Sequence, residues 1–188
     1  KKTIDKHKCV YTFAIGTART YRFMNDNPRL ASYSVDYTND PSVIARLDNF
    51  VSINNALQID LFSQVNAESL AAGGGTSQVS GNGGMLDFVL GSQWAENGKS
   101  VICLSSTYTA RDGTVHSRIA PVLPQGAIVT VPRHMVDYVA TEYGVVRLSA
   151  SPVWMRAEKL ISIAHPDFRE GLITEAERMR LWRRSNKR

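Results

Sequence analysis

The sequence predicts an α/β domain with an open, largely parallel sheet flanked by helices. Three observations lead there. Apolar β-type runs alternate with stretches of helical spacing. Gly, Pro and Asn punctuate the boundaries between them. The 188 residues, 43% of them hydrophobic, suffice for one domain with a core and are too few to promise two. The expected organisation is a domain over residues 1–177 followed by a basic helical tail over 178–188.

"KCVYTFAIG" reads as a strand ending at Gly16, and "TARTYRFMNDNP" as a helix with a Thr cap and a stop at Pro28. "ASYSVDYTNDP" begins with alternating Tyr33, Val35 and Tyr37; Asp40 then caps a short helix, 41–48, with Pro41 at its first position. "FVSINNALQIDLFSQVNAES" alternates apolar residues and is read as two strands turning near Asn54-Asn55 in a hairpin. The glycines between 73 and 84 interrupt that pattern. "GGMLDFVLGSQWAENGK" then predicts a helix closed by Gly98, followed by a strand in "KSVICLSSTY".

Further on, "AIVTV" is a strand segment among polar turns. "SPVWMRAEKLISIAHP" places Val153, Ala157, Leu160, Ile161 and Ala164 on one side of a helix opened by a Ser cap and Pro. "PDFREGLITEAERMRLWRR" is a last helix, weakened by Gly171.

The pI of about 9.4 raises the question of a nucleic-acid partner, which the placement of charge answers. From Arg178 onward there are six basic residues and no acidic one; setting them aside leaves 16 basic against 17 acidic residues. The body is balanced, so no nucleic-acid partner is expected. No run approaches the roughly 20 apolar residues of a membrane span, and "KKTIDKHK" lacks a signal peptide's apolar centre. Cys9 and Cys103 sit in apolar β-type runs as buried small hydrophobes, with no disulfide framework and no zinc spacing. These readings predict a cytoplasmic protein with no membrane partner and no metal.

"SGNGGMLDF", 80–88, carries the chemistry. Gly81, Gly83 and Gly84 around Asn82 can turn successive N–H groups into one concavity. A helix starting beside Gly84 would aim its free N–H groups at the same place, which suits a phosphate, a carboxylate or a thioester oxygen. The same residues equally describe a plain turn. The stretch is neither the dinucleotide fingerprint nor a P-loop. Three other stretches gather reactive residues: "RDGTVHSRIAP" (Arg111, Asp112, His116, Ser117, Arg118), "VATEYGVVRL" (Glu142, Tyr143) and "IAHPDFRE" (His165). Each is a catalytic candidate and each is also a capped turn. In a strand His116 and Ser117 would point apart, which excludes them as a nucleophile–base pair.

Taken in order, "DYTNDP", "INNALQIDLFSQVNAES", "SGNGGMLDF", "GTVHSRIAP", "YVATEYGVVRL" and "AHPDFRE" resemble the C-terminal domain of family I CoA-transferases of the acetyl-CoA hydrolase/transferase group, over roughly residues 8–177. The resemblance implies a CoA-transferase-like (NagB/RpiA-type) fold and a homodimeric enzyme of two such domains. It also implies transfer of CoA from an acyl-CoA to a small carboxylate through an active-site glutamate, by way of an acyl-glutamyl anhydride and a glutamyl-CoA thioester. Coenzyme A is then a substrate, and the partners are acyl-CoA, the carboxylate and the N-terminal CoA-transferase domain.

By the same resemblance the Gly84 N–H would face the thioester oxygen, with Gly81, Asn82 and Gly83 shaping the loop. Ser80 stands where relatives often have a CoA-contacting asparagine. Glu96 falls near a CoA-contacting lysine, a role a carboxylate does not fill, which leaves Lys99 as a substitute. The family's nucleophile lies in a motif similar to "E-x-x-x-D-G", absent here, so the chain reads as the C-terminal portion of a longer enzyme and as inactive alone. The alternatives are an acyl-CoA hydrolase on the same scaffold and a non-catalytic binding module with a basic tail.

Overall fold

The computed structural model describes residues 2–72 and 75–181. The chain divides into two compact units, Lys1–Val51 with Asp87–Lys99, and Ser52–Leu86 with Ser100–Arg188.

The first unit opens with β1 (Cys9–Tyr11), α1 (Ala18–Met24) and β2 (Leu30–Ser32); β1 and β2 pair in parallel across the crossover that α1 makes. Thr17 is the N-cap of α1, and its N–H donates to the Thr20 hydroxyl at 3.3 Å. The strand is shorter than "KCVYTFAIG" predicts, Ile15 is 88% exposed, and Cys9 is exposed rather than buried. A two-stranded ribbon has too little width to cover both of its own faces.

The alternation at Tyr33, Val35 and Tyr37 forms one turn of helix, α2 (Val35–Thr38), because the same residues also satisfy the i, i+4 spacing. Tyr33 and Tyr37 meet edge to face at 5.1 Å, and the Tyr37 hydroxyl donates to Asp5 at 2.8 Å. α3 (Pro41–Ile44) has the expected cap, Asp40 accepting the Ser42 N–H at 2.7 Å, but stops after one turn.

β3 (Val51–Asn55) and β4 (Gln58–Asp60) do not form the predicted hairpin. They belong to different sheets, and β4 instead pairs antiparallel with β5 (Val65–Asn66) and parallel with β11 (Ile119–Ala120). Asn54 and Asn55 stay in the strand. The next hairpin is β6 (Ser69–Ala72) with β7 (Gly75–Gln78).

α4 (Met85–Trp94) follows the glycine loop. Its exit departs from expectation. The left-handed residue is Asn97 (φ 55°), and Gly98 is required for a different reason: a Cβ there would lie 1.9 Å from the Ser92 carbonyl oxygen. Gly91, on the same helix, has Ile44 Cβ and the Pro41 carbonyl against the place a Cβ would occupy.

β8 (Lys99–Cys103) enters the largest sheet, of order β13-β12-β8-β3, where β12 (Tyr138–Thr141) runs parallel to β8 and antiparallel to β13 (Gly144–Arg147). β9 (Thr107–Thr109) and β10 (Val115–Ser117) form a separate hairpin. The α/β class is thus realised with mixed pairing. The crossovers give parallel ladders, and the tight returns into β5, β10 and β13 are too short for anything but antiparallel ones. "AIVTV" contributes one bridge, Val131 to Val65, and no strand.

α5 (Val153–Ser162) is capped at Pro152, one residue later than the predicted Ser cap, and buries Ala157, Leu160 and Ile161. Ala164 beyond it is also buried. α6 (Pro166–Arg178) starts at an His165 N-cap and buries Leu172 and Ala176. The second unit's core is Ile59, Leu61, Val65, Ile102, Ile119, Val131, Val139, Leu148 and Leu160, all fully buried, at about 1.5–3 kcal/mol of hydrophobic stabilisation each. The helix ends at Arg178, and 182–188 of the expected basic tail lie outside the described residues. No helix among the described residues is long and apolar enough to cross a membrane.

Candidate active site

Two features of the second unit are candidates for the chemistry. The first is the loop from Ser80 to Gly84. Its entrance is tied to a buried polar knot: the Val79 and Ser80 N–H groups donate to the Glu68 carbonyl at 2.8 and 3.4 Å. Glu68 is held in turn by Asn66, whose Oδ1 accepts the Glu68 N–H (3.2 Å), the Ser69 N–H (3.0 Å) and the Ser69 hydroxyl (3.1 Å). The Thr130 hydroxyl donates to the Glu68 carboxylate at 3.1 Å. The motif "QVNAES" therefore anchors the loop.

Within the loop, Gly81, Asn82 and Gly83 are exposed and Gly84 is half-buried. Gly83 has φ 55° with open space where a Cβ would stand, so the turn there needs backbone freedom rather than room. The Ser80 hydroxyl donates to the Gly81 carbonyl at 3.0 Å, which commits it to its own loop. Met85, the first residue of α4, is buried, which fixes the helix start directly after Gly84. Among the described residues the Gly84 N–H meets no acceptor. It sits where the helix's partial positive charge gathers. Lys99, on the first unit, is exposed, and its ammonium donates to the Asn97 carbonyl at 3.4 Å. Glu96 is exposed as well.

The second feature is an open cleft of about 370 Å³ lined by Asn55, Cys103, Leu104, Ser105, Ala140, Thr141 and Glu142. These residues stand at or just beyond the carboxyl ends of β3, β8 and β12, the edge where open α/β sheets present ligand sites. Two backbone bonds hold the strand ends together, Ala56 N–H to the Cys103 carbonyl (2.9 Å) and Leu104 N–H to the Ala140 carbonyl (3.1 Å). Glu142 and Tyr143 are the two-residue connection of the β12–β13 hairpin, which lifts the carboxylate to the sheet's edge.

Ser106, fully buried, donates both its N–H (2.9 Å to Oε2) and its hydroxyl (2.5 Å to Oε1) to that carboxylate. The Ser106 hydroxyl bond, helped by backbone N–H groups and the His165 charge, holds the Glu142 carboxyl below the usual carboxylate range. Burial pushes the Cys103 thiol up, so the cleft presents a neutral thiol beside an anion. The Asn54 amide nitrogen is buried without an acceptor among the described residues.

The remaining candidates separate cleanly. His116 stacks on Tyr108 at 5.2 Å, while the Ser117 hydroxyl donates to the Ile119 carbonyl at 2.7 Å. Arg118 reaches back to the Leu57 carbonyl at 3.0 Å, and Asp112 accepts the Thr114 N–H at 2.9 Å in the hairpin turn that also holds exposed Arg111. That stretch is a capped turn. His165 caps α6, its Nδ1 accepting the Asp167 N–H at 3.3 Å, and packs edge-on against Tyr143. Among the described residues no three His, Cys, Asp or Glu side chains gather as metal ligands.

Sequence reasoning named Glu142 but missed the cleft around it and Ser106 behind it. The available signal was positional: strand ends followed by small polar residues, as in "CLSS" and "ATEYG".

Residues 16–176 match the acetyl-CoA hydrolase/transferase C-terminal domain. The chain belongs to that family. Over 187 residues it is 50% identical to the butyryl-CoA:acetate CoA-transferase of Anaerostipes caccae and 52% identical to a probable butyrate:acetyl-CoA coenzyme A-transferase of Syntrophomonas wolfei. In both cases the match takes in 100% of this chain and 41% of the relative. The chain therefore spans about two-fifths of the length of the curated relatives it matches. The crystal structure of RipA from Yersinia pestis superposes with a TM-score of 0.85 at 44% identity, covering 96% of this chain and 39% of that one. The acetyl-CoA hydrolase/transferase family places this fold among CoA-transferase folds, in agreement with the expected class.

Proposed function

We propose that this chain is the C-terminal part of an acyl-CoA:carboxylate CoA-transferase that works through a glutamyl-CoA thioester. Its nucleophilic glutamate would be supplied by an N-terminal CoA-transferase domain of the same polypeptide, in a homodimeric enzyme. The observation that carries the reading is the Gly84 N–H at the start of α4, which meets no acceptor among the described residues, in a chain of this family.

In the first step the glutamate carboxylate attacks the thioester carbonyl and the CoA thiolate leaves, giving a mixed anhydride. The thiolate then attacks the glutamyl carbonyl of that anhydride and releases the first carboxylate. The second carboxylate reverses both steps. Each attack places negative charge on a carbonyl oxygen, and a preorganised N–H donor stabilises that charge without reorganisation. Gly84 is assigned that donor, Gly81, Asn82 and Gly83 the loop that aims it, and Ser80 and Lys99 secondary contacts to CoA.

The test is mass spectrometry of the full-length protein after incubation with an acyl-CoA. A glutamate-bearing peptide that gains the mass of CoA less one water supports the reading, and its absence while acyl-CoA turns over sinks it. CoA release without any carboxylate acceptor would point to hydrolysis instead. The chain alone, residues 1–188, is expected to fold and to turn over no acyl-CoA.

A further inference from the structure

The glycine loop leaves the carboxylate of Glu142 and the cleft it lines without a role. The structure around that carboxylate is more specific than a hairpin turn requires. Glu142 could be solvated at the sheet's edge like any surface glutamate, yet a fully buried serine directs both of its donors at it. The Ser106 carbonyl is engaged by the Arg118 N–H at 2.8 Å, and Arg118 is itself anchored to the Leu57 carbonyl, so the clamp is built from fixed backbone. Oε1 takes the Ser106 hydroxyl and a second share of its N–H at 3.2 Å, whereas Oε2 takes the N–H alone and keeps a lone pair, and the carboxylate is part of the cleft wall.

We propose that Ser106 is a positioning residue that fixes the Glu142 carboxylate, as the anion, where it accepts a hydrogen bond from an amide N–H of the acyl-CoA pantetheine arm. The proposal rests on the CoA-transferase reading for its ligand. A fixed anion in a cleft with Asn55, Thr141 and a neutral thiol selects a hydrogen-bond donor and rejects a carboxylate. Within an acyl-CoA the N–H donors nearest the reacting thioester are the pantetheine amides. The charged and titratable groups around Glu142 are the His165 ring on α6, the Cys103 thiol on β8, and Tyr143 beside it under the Arg169 guanidinium. A protonated His165 favours the anion as Ser106 does.

Ser106→Ala removes the hydroxyl and keeps the N–H, and Ser106→Gly does the same without the methyl group. Carboxyl 13C NMR on this chain, labelled at glutamate, follows the Glu142 titration, with Glu142→Gln identifying the resonance. Both Ser106 variants are expected to move that titration to higher pH and, above it, to lower the urea midpoint by no more than that shift accounts for. In the full-length enzyme the KM for acyl-CoA should rise about tenfold, the effect of one lost charge-assisted hydrogen bond, and the KM for the carboxylate should stay put. A titration that coincides with the wild type, or an unchanged KM for acyl-CoA, overturns the proposal. A full-length wild-type protein that transfers no CoA overturns the transferase reading instead, and the NMR titration still decides whether Ser106 holds Glu142.

Discussion

The Glu68 carbonyl accepts the Val79 N–H at 2.8 Å, so the glycine loop hangs from a residue that is itself buried. The anchor holds because Asn66, also fully buried, accepts three hydrogen bonds from Glu68 and Ser69 on one oxygen. Asn66→Ala strips that acceptor and leaves two buried amide donors unpaired, at a cost on the order of 3 kcal/mol. The urea midpoint should fall with the slope of the transition unchanged. A midpoint equal to the wild type would show that the knot does not hold the loop.

Two glycines on helices should respond to alanine in opposite directions. A Cβ at Gly91 would stand 2.5 Å from Ile44 Cβ and 3.1 Å from the Pro41 carbonyl, and neither neighbour can rotate away. Gly91→Ala should destabilise by about 1–3 kcal/mol through overpacking. Gly171 in α6 is exposed with nothing within 4 Å, so Gly171→Ala should stabilise by about 0.5–1 kcal/mol through helix propensity. Thermal unfolding of the two variants side by side checks the contrast, and shifts of the same sign would contradict it.

What the residues disclosed in advance follows the range of the interactions involved. Asp40 with Pro41, and the apolar face of Ala157, Leu160 and Ile161, are local patterns and were readable as such. Gly98 was legible as a helix end for the wrong reason, because its requirement comes from the Ser92 carbonyl and the left-handed turn belongs to Asn97. β3 and β4 looked like a hairpin because alternation says nothing of which strand a strand pairs with. Ser106 and Glu142 lie 36 residues apart, and only the β8–β12 crossover makes them neighbours. The glycine loop was visible as composition, and its anchorage on Glu68 was not.

Gly84 separates function from stability. It is half-buried ahead of α4, and its N–H meets no acceptor within the described chain. In the full-length enzyme Gly84→Val should lower kcat by about 10²-fold, the scale of losing one oxyanion donor, with Gly84→Ala intermediate. The unfolding midpoint of this chain should move far less than the activity does. A loss of activity no larger than the loss of folded protein would remove Gly84 from the site.

Asp60 predicts a pH dependence of definite sign. Its side chain is fully buried and accepts the Gln64 N–H and the Gln64 side-chain amide, both at 2.8 Å. Burial pushes its carboxyl above the usual range, and the Gln64 bonds only partly offset the shift. Between the unfolded value, near 4, and the higher folded value, the native state binds more protons than the unfolded chain. Asp60 therefore makes stability fall as pH rises through that window. Glu142, Asp40 and Asp112, whose carboxyls are held low by hydrogen bonds, act in the opposite sense, losing stability as pH falls. Asp60→Asn keeps the side chain's size and cannot titrate, so subtracting its urea-unfolding free energy from that of the wild type cancels the other groups. The difference should decline from about pH 4 upward. A difference that stays constant across that range, or grows with pH, would mean that Asp60 is not the buried acid the structure describes.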